Sequence, residues 1–238
     1  MMECGNLLPN IRAHADYLNH YLLILSEIKI YLRALEVDEM NPSYKAEITF
    51  FEVILGRRSV RHYQAKRVGK ISISNLLEAA VRAPTAMHQE PLAFVIINDK
   101  KTLKTLSDLA KPLIIAKAKL TPTERIHHTD ELFDNPDFNI FYDAGTLIII
   151  CGKTDVPFYS ADCWLAAENM MLTACAMGLG SCVVGSALPA LNLNDVKAQL
   201  KISDKYTAVA PIIIGYPNQE NTATTRNAPI ILTQITPH

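Results

Sequence analysis

The chain has 238 residues, of which 49% are hydrophobic and 20% charged, and its formal net charge is −1 at pH 7. This composition is typical of one globular domain, or two, and a near-neutral chain has no general attraction to nucleic acid or to an anionic membrane. The sequence contains neither a signal peptide nor an apolar stretch long enough to cross a bilayer. We therefore predict a cytoplasmic protein without nucleic-acid or membrane partners.

The first 45 residues differ in pattern from the rest. Between residues 18 and 35, apolar side chains recur at alternating spacings of three and four, which predicts one helix with a heptad stripe. Such a helix is marginal when isolated, and Asn41-Pro42 interrupts the pattern. We interpret residues 1–45 as a helical extension that is dispensable for the functional domain at 46–238, with Met40 as an alternative start of the functional chain.

After this break, helical and strand patterns alternate. Helices are predicted over residues 46–55, 74–83, 102–109, 161–177 and 195–200, and strands over 92–98, 146–151, 182–186 and 208–215, with a strand-like tail at 230–235. Residues 111–140 are polar and mixed, which indicates a lid or a partly helical excursion. The helix at 161–177 is apolar nearly all round, so the fold or a subunit interface must cover it. The alternation predicts an α+β fold, a mixed α/β sandwich with about four core strands.

The cysteines give no sign of a metal site. The chain has five of them: Cys4, Cys151, Cys163, Cys175 and Cys182. They form no C-x-x-C pair, no histidine stands at zinc-ligand spacing, and four of the five lie in apolar runs. We interpret them as reduced thiols, mostly in the core, and predict no metal.

The arginine segment, residues 57–61, carries three guanidinium groups and a hydroxyl directly after Gly56, which we expect to cap the first helix. Guanidinium groups bind phosphate oxygens bidentately and stay charged at any working pH. The alternative is a solvated surface or a nonspecific anion patch. Neither a G-x-G-x-x-G motif after a strand nor a Walker loop is present, and Gly178-Leu179-Gly180 ends a helix rather than beginning one.

Four motifs, in order over residues 47–229, resemble the FMN-dependent nitroreductase family. They are Arg57-Arg58-Ser59-Val60-Arg61 for its R-R-S-x-R run, the helix ending Ala83-Pro84-Thr85-Ala86, the apolar helix that runs into Gly178-Leu179-Gly180, and Gly215-Tyr216-Pro217 with the late Arg226. The chain departs from the family pattern at three positions: His88 replaces an asparagine, Glu90 a glutamine and Leu92 a tryptophan. The missing tryptophan puts substrate preference in doubt more than cofactor binding.

The resemblance implies a central, mostly antiparallel sheet flanked by helices, in an interlocked homodimer that binds FMN. Arg57 and Arg226 would contact the FMN phosphate, Ser59 the phosphate or the ribityl chain, and Arg61 the N1/O2 edge of the isoalloxazine. Arg58 either contacts the cofactor or pairs with an acid on the surface, and we favour the second.

By the same resemblance, the partner subunit would line the flavin with Pro84, Thr85, Ala86 and His88. The backbone of Val183, Val184 and Gly185 would pass over the N5 side. His88 is a candidate general acid. We favour a simple hydrogen bond to the flavin, because the cofactor carries the chemistry. Glu90 either orients His88 or is solvated, and no other catalytic side chain is predicted.

The implied activity is an FMN-dependent oxidoreductase in which NADH or NADPH reduces nitroaromatics, quinones or related electrophiles. The kinetics would be ping-pong, and the hydride would pass through flavin N5. Two alternatives remain open. One is a different flavin chemistry on the same fold (dehalogenation, oxidation or flavin fragmentation), and the other is a non-catalytic FMN-binding protein.

Overall fold

The computed structural model describes residues 49–119, 133, 135–219 and 224–236. The extension predicted over residues 1–45, Cys4 and the middle of the predicted excursion at 111–140 lie outside these residues. In the described part, the helices are α1 (Phe50–Gly56), α2 (Lys70–Val81), α3 (Lys100–Lys119), α4 (Tyr159–Ala176), α5 (Leu188–Leu191) and α6 (Asn194–Gln199). The strands are β1 (Leu92–Ile97), β2 (Thr146–Lys153), β3 (Gly180–Val183) and β4 (Tyr206–Gly215). No described helix is both long and apolar enough to span a bilayer.

The strands form one four-stranded sheet in the order β1-β2-β4-β3, with every neighbouring pair antiparallel. The pairing of β2 with β4 is irregular between Ile150 and Cys151. The prediction of about four core strands is confirmed. The strand predicted at 182–186 was placed too late, because β3 ends at Val183 and residues 185–187 form a 3₁₀ turn.

Both faces of the sheet are covered by helices, and side chains alternate between the two resulting cores along each strand. Ile148, Ile150 and Ile212 face one core, which α2 and α4 complete. Leu147 and Ile149 face the other core, together with residues of α3 and α5. A central strand buried on both faces is apolar without interruption, which explains the Thr-Leu-Ile-Ile-Ile-Cys run at the start of β2.

Helix α1 is shorter than the predicted 46–55 helix. Thr49 is its N-cap and forms a capping box with Glu52, so that the helix begins at Phe50. Gly56 is the last helical residue and Arg57 the C-cap, so the expected glycine cap is wrong. The apolar side chains of Phe51 and Leu55 on this helix are 73% and 70% exposed.

Helices α2 and α3 both begin earlier than predicted. The 74–83 helix begins at Lys70 after the extended Gly69, and it ends at Val81, before Pro84 is reached. The 102–109 helix begins at Lys100 and continues to Lys119 with Pro112 inside it, so the first part of the predicted excursion at 111–140 is helical.

Helix α4 ends close to the predicted position, since Met177 is its C-cap and Gly178 follows with a φ of 69°. Its buried face packs on the sheet, while Trp164 and Leu165 on the other side are 43% and 47% exposed. The tail predicted as strand-like at 230–235 forms no strand within this chain. Its Ile230 and Leu232 are 87% and 93% exposed.

Candidate functional site

The arginine segment leaves α1 in an extended conformation and is fixed to the edge strand β3. Ser59 forms a parallel bridge with Ser181, and the Val60 amide donates to the Ser181 carbonyl oxygen at 3.0 Å. The Val60 side chain is buried, at 4% exposure. The alternation of an extended chain then turns its neighbours Ser59 and Arg61 outward, and both are exposed.

A cavity of about 420 Å³, here named the arginine cavity, opens beside this segment. It is lined by Arg57, Arg58, Ser59, Arg61, His62, Thr224 and Arg226. The structure thus brings together five of the predicted cofactor-binding residues, four from the arginine segment and Arg226 from far along the chain. The lining residues supply guanidinium, imidazole and hydroxyl groups and include no acid, which suits an anion with several acceptor oxygens.

Arg57 is held from behind by an acid that the sequence analysis missed. Its Nε lies 3.3 Å from Oε1 of Glu168 on α4, and the Arg57 side chain is 23% exposed. A contact through Nε leaves the two Nη groups of the fork available toward the cavity. Glu168 therefore orients Arg57 and also neutralises part of its charge.

Arg58 forms no ion pair with an acid among the described residues, so the surface pair that we favoured for it is not seen there. Its Nη1 donates to the Leu55 carbonyl oxygen at 2.6 Å and to the Arg57 carbonyl oxygen at 2.8 Å. These contacts cover carbonyl oxygens at the C-terminus of α1, where a cation also opposes the negative end of the helix dipole. The buried Nε of Arg58 has no hydrogen-bond partner among the described residues.

A second cavity, of about 90 Å³ and here named the aromatic cavity, lies next to the first. Its lining comprises Arg61, Phe133, Phe138, Ile140, Tyr142, Cys182, Val183, Val184, Gly185 and Ser186. The Phe138 ring packs on Phe133 and Tyr142, with centroids 5.9 and 5.6 Å apart. The predicted residues 183–185 are thus brought together with Arg61, which lines both cavities.

Burial dominates the ionisation of the groups under these cavities. It raises the pKa of the Tyr63 phenol above its ordinary value, and the Tyr63 hydroxyl donates to the Val60 carbonyl oxygen at 2.7 Å. Burial likewise raises the pKa of the Cys182 thiol, although the nearby Arg61 opposes that shift. Both groups are therefore neutral at physiological pH, and the positive charge of Arg61 is not cancelled from below.

The loop at 84–90 does not reach the arginine cavity of its own chain. Pro84 and His88 are exposed, Thr85 and Ala86 half-buried. Among the described residues, neither the His88 nor the Glu90 side chain has a hydrogen-bond partner, and the Glu90 side chain is exposed. The predicted contribution of this loop to a partner's site stays a prediction.

Sequence reasoning also missed His62 and Thr224 in the arginine cavity, and the ring cluster of the aromatic cavity. His62 follows the arginine segment directly, so its place in the sequence could have indicated that it lines the same cavity. Phe133 and Phe138 lie within the segment 111–140 and Tyr142 just after it, and the sequence pattern of that segment predicted no partner for these rings.

Comparison with known proteins identifies the fold and the family. The model of the Nitroreductase family matches residues 54–216. The chain belongs to the nitroreductase family. The predicted family, the α+β class and the prediction of a flavin oxidoreductase enzyme are confirmed.

Individual relatives are distant. An Archaeoglobus fulgidus protein named as a candidate NADH dehydrogenase/NAD(P)H nitroreductase is 24% identical over 174 residues, covering 71% of this chain and 86% of the relative. A nitroreductase from Bacteroides fragilis, solved with bound FMN, superposes with a TM-score of 0.66 at 24% identity, covering 80% of this chain and all of that one (100%). An iodotyrosine deiodinase bound to FMN and 3-iodo-L-tyrosine gives 0.67 at 18% identity, covering 79% and 100%. At these identities the two structural matches show the fold alone.

Proposed function

We propose that this nitroreductase-family chain binds FMN with its phosphate in the arginine cavity and its isoalloxazine edge at Arg61. The observation that carries the proposal is that Arg61 lines both cavities. A ligand with an anionic end and a planar aromatic end would span them, and FMN has this shape. The FMN-bound structure of the Bacteroides fragilis relative supports the choice of ligand.

The residues present fit the phosphate. Arg57, Arg58 and Arg226 provide charged donors around one cavity, and Ser59 adds a hydroxyl. Arg58 already spends Nη1 on backbone carbonyls, and its buried Nε is still without a partner among the described residues. A buried donor without an acceptor is costly, and a phosphate oxygen or a water held by one would relieve that cost.

When bound, FMN supplies hydride transfer from NADH or NADPH to an electrophile such as a nitroaromatic or a quinone. The chain's own residues would bind and orient it. The Arg61 guanidinium at the N1/O2 edge would stabilise negative charge on the reduced ring. Val183, Val184 and Gly185 would cover one side with backbone and exclude water there. The names of the Archaeoglobus fulgidus relative and of the Bacillus subtilis FMN reductase (NADPH) support a nicotinamide co-substrate.

We infer that the working unit is a homodimer. The loop at 84–90 is mostly exposed and does not line the arginine cavity of its own chain, so it is free to line the site of a second copy. The exposed Trp164 and Leu165 of α4, together with the apolar tail at 230–235, would be buried in the same assembly. Strand addition by the tail to a sheet edge of the partner is one way to bury it.

The test compares FMN with riboflavin, which has the same ring system but lacks the phosphate. The purified protein should be yellow, and the stripped protein should bind FMN far more tightly than riboflavin in a fluorescence-quenching titration. Equal affinities would remove the arginine cavity as the phosphate site. A colourless protein that binds neither compound would refute the proposed cofactor.

Stopped-flow mixing with NADH and NADPH then separates an enzyme from a non-catalytic FMN-binding protein. Bleaching of the flavin band by either nucleotide, followed by reoxidation with a nitroaromatic or a quinone, is the expected result. Absence of bleaching with both nucleotides would favour the binding protein.

A second candidate activity is reductive dehalogenation. The Sus scrofa iodotyrosine deiodinase 1 is 42% identical over 50 residues, although these cover only 21% of this chain. Release of iodide from 3-iodo-L-tyrosine by the reduced enzyme, at a rate above that of nitroaromatic reduction, would select dehalogenation over the main proposal.

A further inference from the structure

We propose that Asp162 is a positioning residue that fixes the loop at 84–90 through the amide of Ala86. The inference rests on the proposed function, because that loop is the part of the chain offered to the flavin site. Asp162 lies in the first turn of α4, and its side chain is 3% exposed. Its Oδ1 accepts a hydrogen bond from the Ala86 N–H at 3.1 Å, across 76 positions of sequence.

The loop is strained and needs an anchor. Met87, His88 and Glu90 have φ angles of 53°, 52° and 45°, a left-handed conformation that costs residues with a Cβ energy. Such a conformation persists only when its surroundings impose it. Most side chains of the loop are exposed and none of its residues pairs with a strand, so packing alone does not impose this left-handed conformation.

The hydrogen bonds of the loop single out Asp162. The amides of His88, Gln89 and Glu90 all donate to acceptors on Thr85 or Ala86, inside the loop itself. Among the described residues, the bond from Ala86 to Asp162 is the one hydrogen bond that joins residues 84–90 to another element of the fold. The carboxylate therefore fixes where the internally bonded turn is placed.

The second oxygen of Asp162 is evidence that the acid is there for more than fold stability. Oδ2 is buried and has no hydrogen-bond partner in the described part of the chain. The carboxyl group also forms no ion pair with any described residue. A buried carboxylate with one acceptor unused is expensive, and the N-terminus of α4 offsets that cost only in part. An apolar residue would pack here at lower cost, but it would leave the Ala86 amide unbound.

The test compares Asp162→Ala with Asp162→Asn in the full-length protein. The asparagine keeps a side-chain oxygen for the Ala86 amide, and the alanine does not. Hydrogen exchange, followed by mass spectrometry on peptides that cover residues 84–91, should be about tenfold faster in D162A and close to wild type in D162N. This measurement is made on stripped protein and does not depend on the cofactor.

A second measurement connects the loop to the site. In D162A, the visible circular dichroism of bound FMN should change and the KM for the electron acceptor should rise about tenfold, with a smaller change in kcat. D162N should restore both. A residue that only stabilised the fold would lower the melting temperature without this split.

Asn169→Ala is the matched control, because Asn169 lies on the same helix and donates to the Ala79 carbonyl oxygen at 3.0 Å. It should lose thermal stability while the loop exchanges as in wild type. Wild-type exchange of residues 84–91 in D162A, or a D162N variant that behaves as D162A, would overturn the role of Asp162. Failure of wild-type protein to bind FMN would instead refute the proposed function and leave the exchange result standing.

Discussion

Replacing Arg57 by alanine should weaken FMN binding and leave riboflavin binding unchanged. Arg57 is a cation of the arginine cavity whose Nε is paired with an acid, since Glu168 Oε1 lies 3.3 Å from it. The substitution removes a guanidinium group from the lining of the arginine cavity, and it leaves the Glu168 carboxylate without its partner.

The expected magnitude follows from the type of contact. A hydrogen bond to a charged group contributes about 1.5–3 kcal/mol, which corresponds to an increase of roughly 10- to 150-fold in the FMN dissociation constant. The released Glu168 carboxylate then repels the phosphate, so the single variant should lie in the upper half of that range. Arg57→Ala combined with Glu168→Gln should recover part of the loss, because the glutamine carries no charge.

The assay is quenching of flavin fluorescence on titration of stripped protein, with FMN and riboflavin in parallel. Arg82→Ala is the matched control, because Arg82 also pairs with a glutamate, Glu78, at 2.6 Å but lies outside the arginine cavity. An unchanged FMN affinity in Arg57→Ala would refute the phosphate contact. An equal loss for riboflavin would show that the substitution damages the fold rather than the phosphate site.

Four further predictions concern other parts of the chain. Arg61→Ala should retain FMN but lower its midpoint potential in a dye-equilibrated titration, and a potential at or above that of wild type would contradict the N1/O2 contact. Removal of residues 228–238 should weaken the dimer and release FMN together in analytical ultracentrifugation, whereas a wild-type monomer that keeps its flavin would exclude the interface site. A chain without residues 1–40 should stay soluble and FMN-loaded, and aggregation would show that the heptad stripe belongs to the core. Burial raises the pKa of Cys151 to about 11 and of Cys163 to about 12, so both thiols should resist a disulfide reagent in the native protein at neutral pH. Their neutral forms favour the folded state below the unfolded pKa of about 9, and that contribution should fade in urea titrations as the pH rises toward 11.

The centre of the sheet was predictable because its two central strands, β2 and β4, are buried on both faces. An uninterrupted apolar run such as β2 has few places to lie other than the middle of a covered sheet. The ends of helices were less predictable. The prediction stopped short of Pro112, yet α3 continues through it, and Lys70 begins α2 after Gly69 without a side-chain cap to signal the start.

The site was predictable where its residues are adjacent in sequence and otherwise not. The arginine segment forms a compact motif, and its cavity contains all four of its polar side chains. Glu168 and Asp162 lie on α4 and act on partners 111 and 76 positions away, which no local pattern records. An acid in the first turn of a helix is common for reasons of the helix dipole alone, so Asp162 carried no distinguishing signal. Phe51 and Leu55 fit an apolar helical stripe but are exposed, because such a stripe does not tell which part of the protein, if any, packs on it.

Gly180 makes a buried position of the edge strand β3 a determinant of ligand affinity. A Cβ added at this position would lie 2.7–2.8 Å from three side-chain carbons of Val60, a residue of the arginine segment itself. Alanine at 180 would therefore displace the backbone that presents Ser59 and Arg61, while the rest of the sheet could keep its pairing. In a mutational screen for loss of the yellow colour of bound flavin, substitutions at Gly180 should reduce the colour as substitutions of the cavity arginines do. The Gly180 variants should still be folded. The set of positions that such a screen identifies would thus include a buried residue of β3 that contacts the arginine segment from behind, besides the residues that line the cavity.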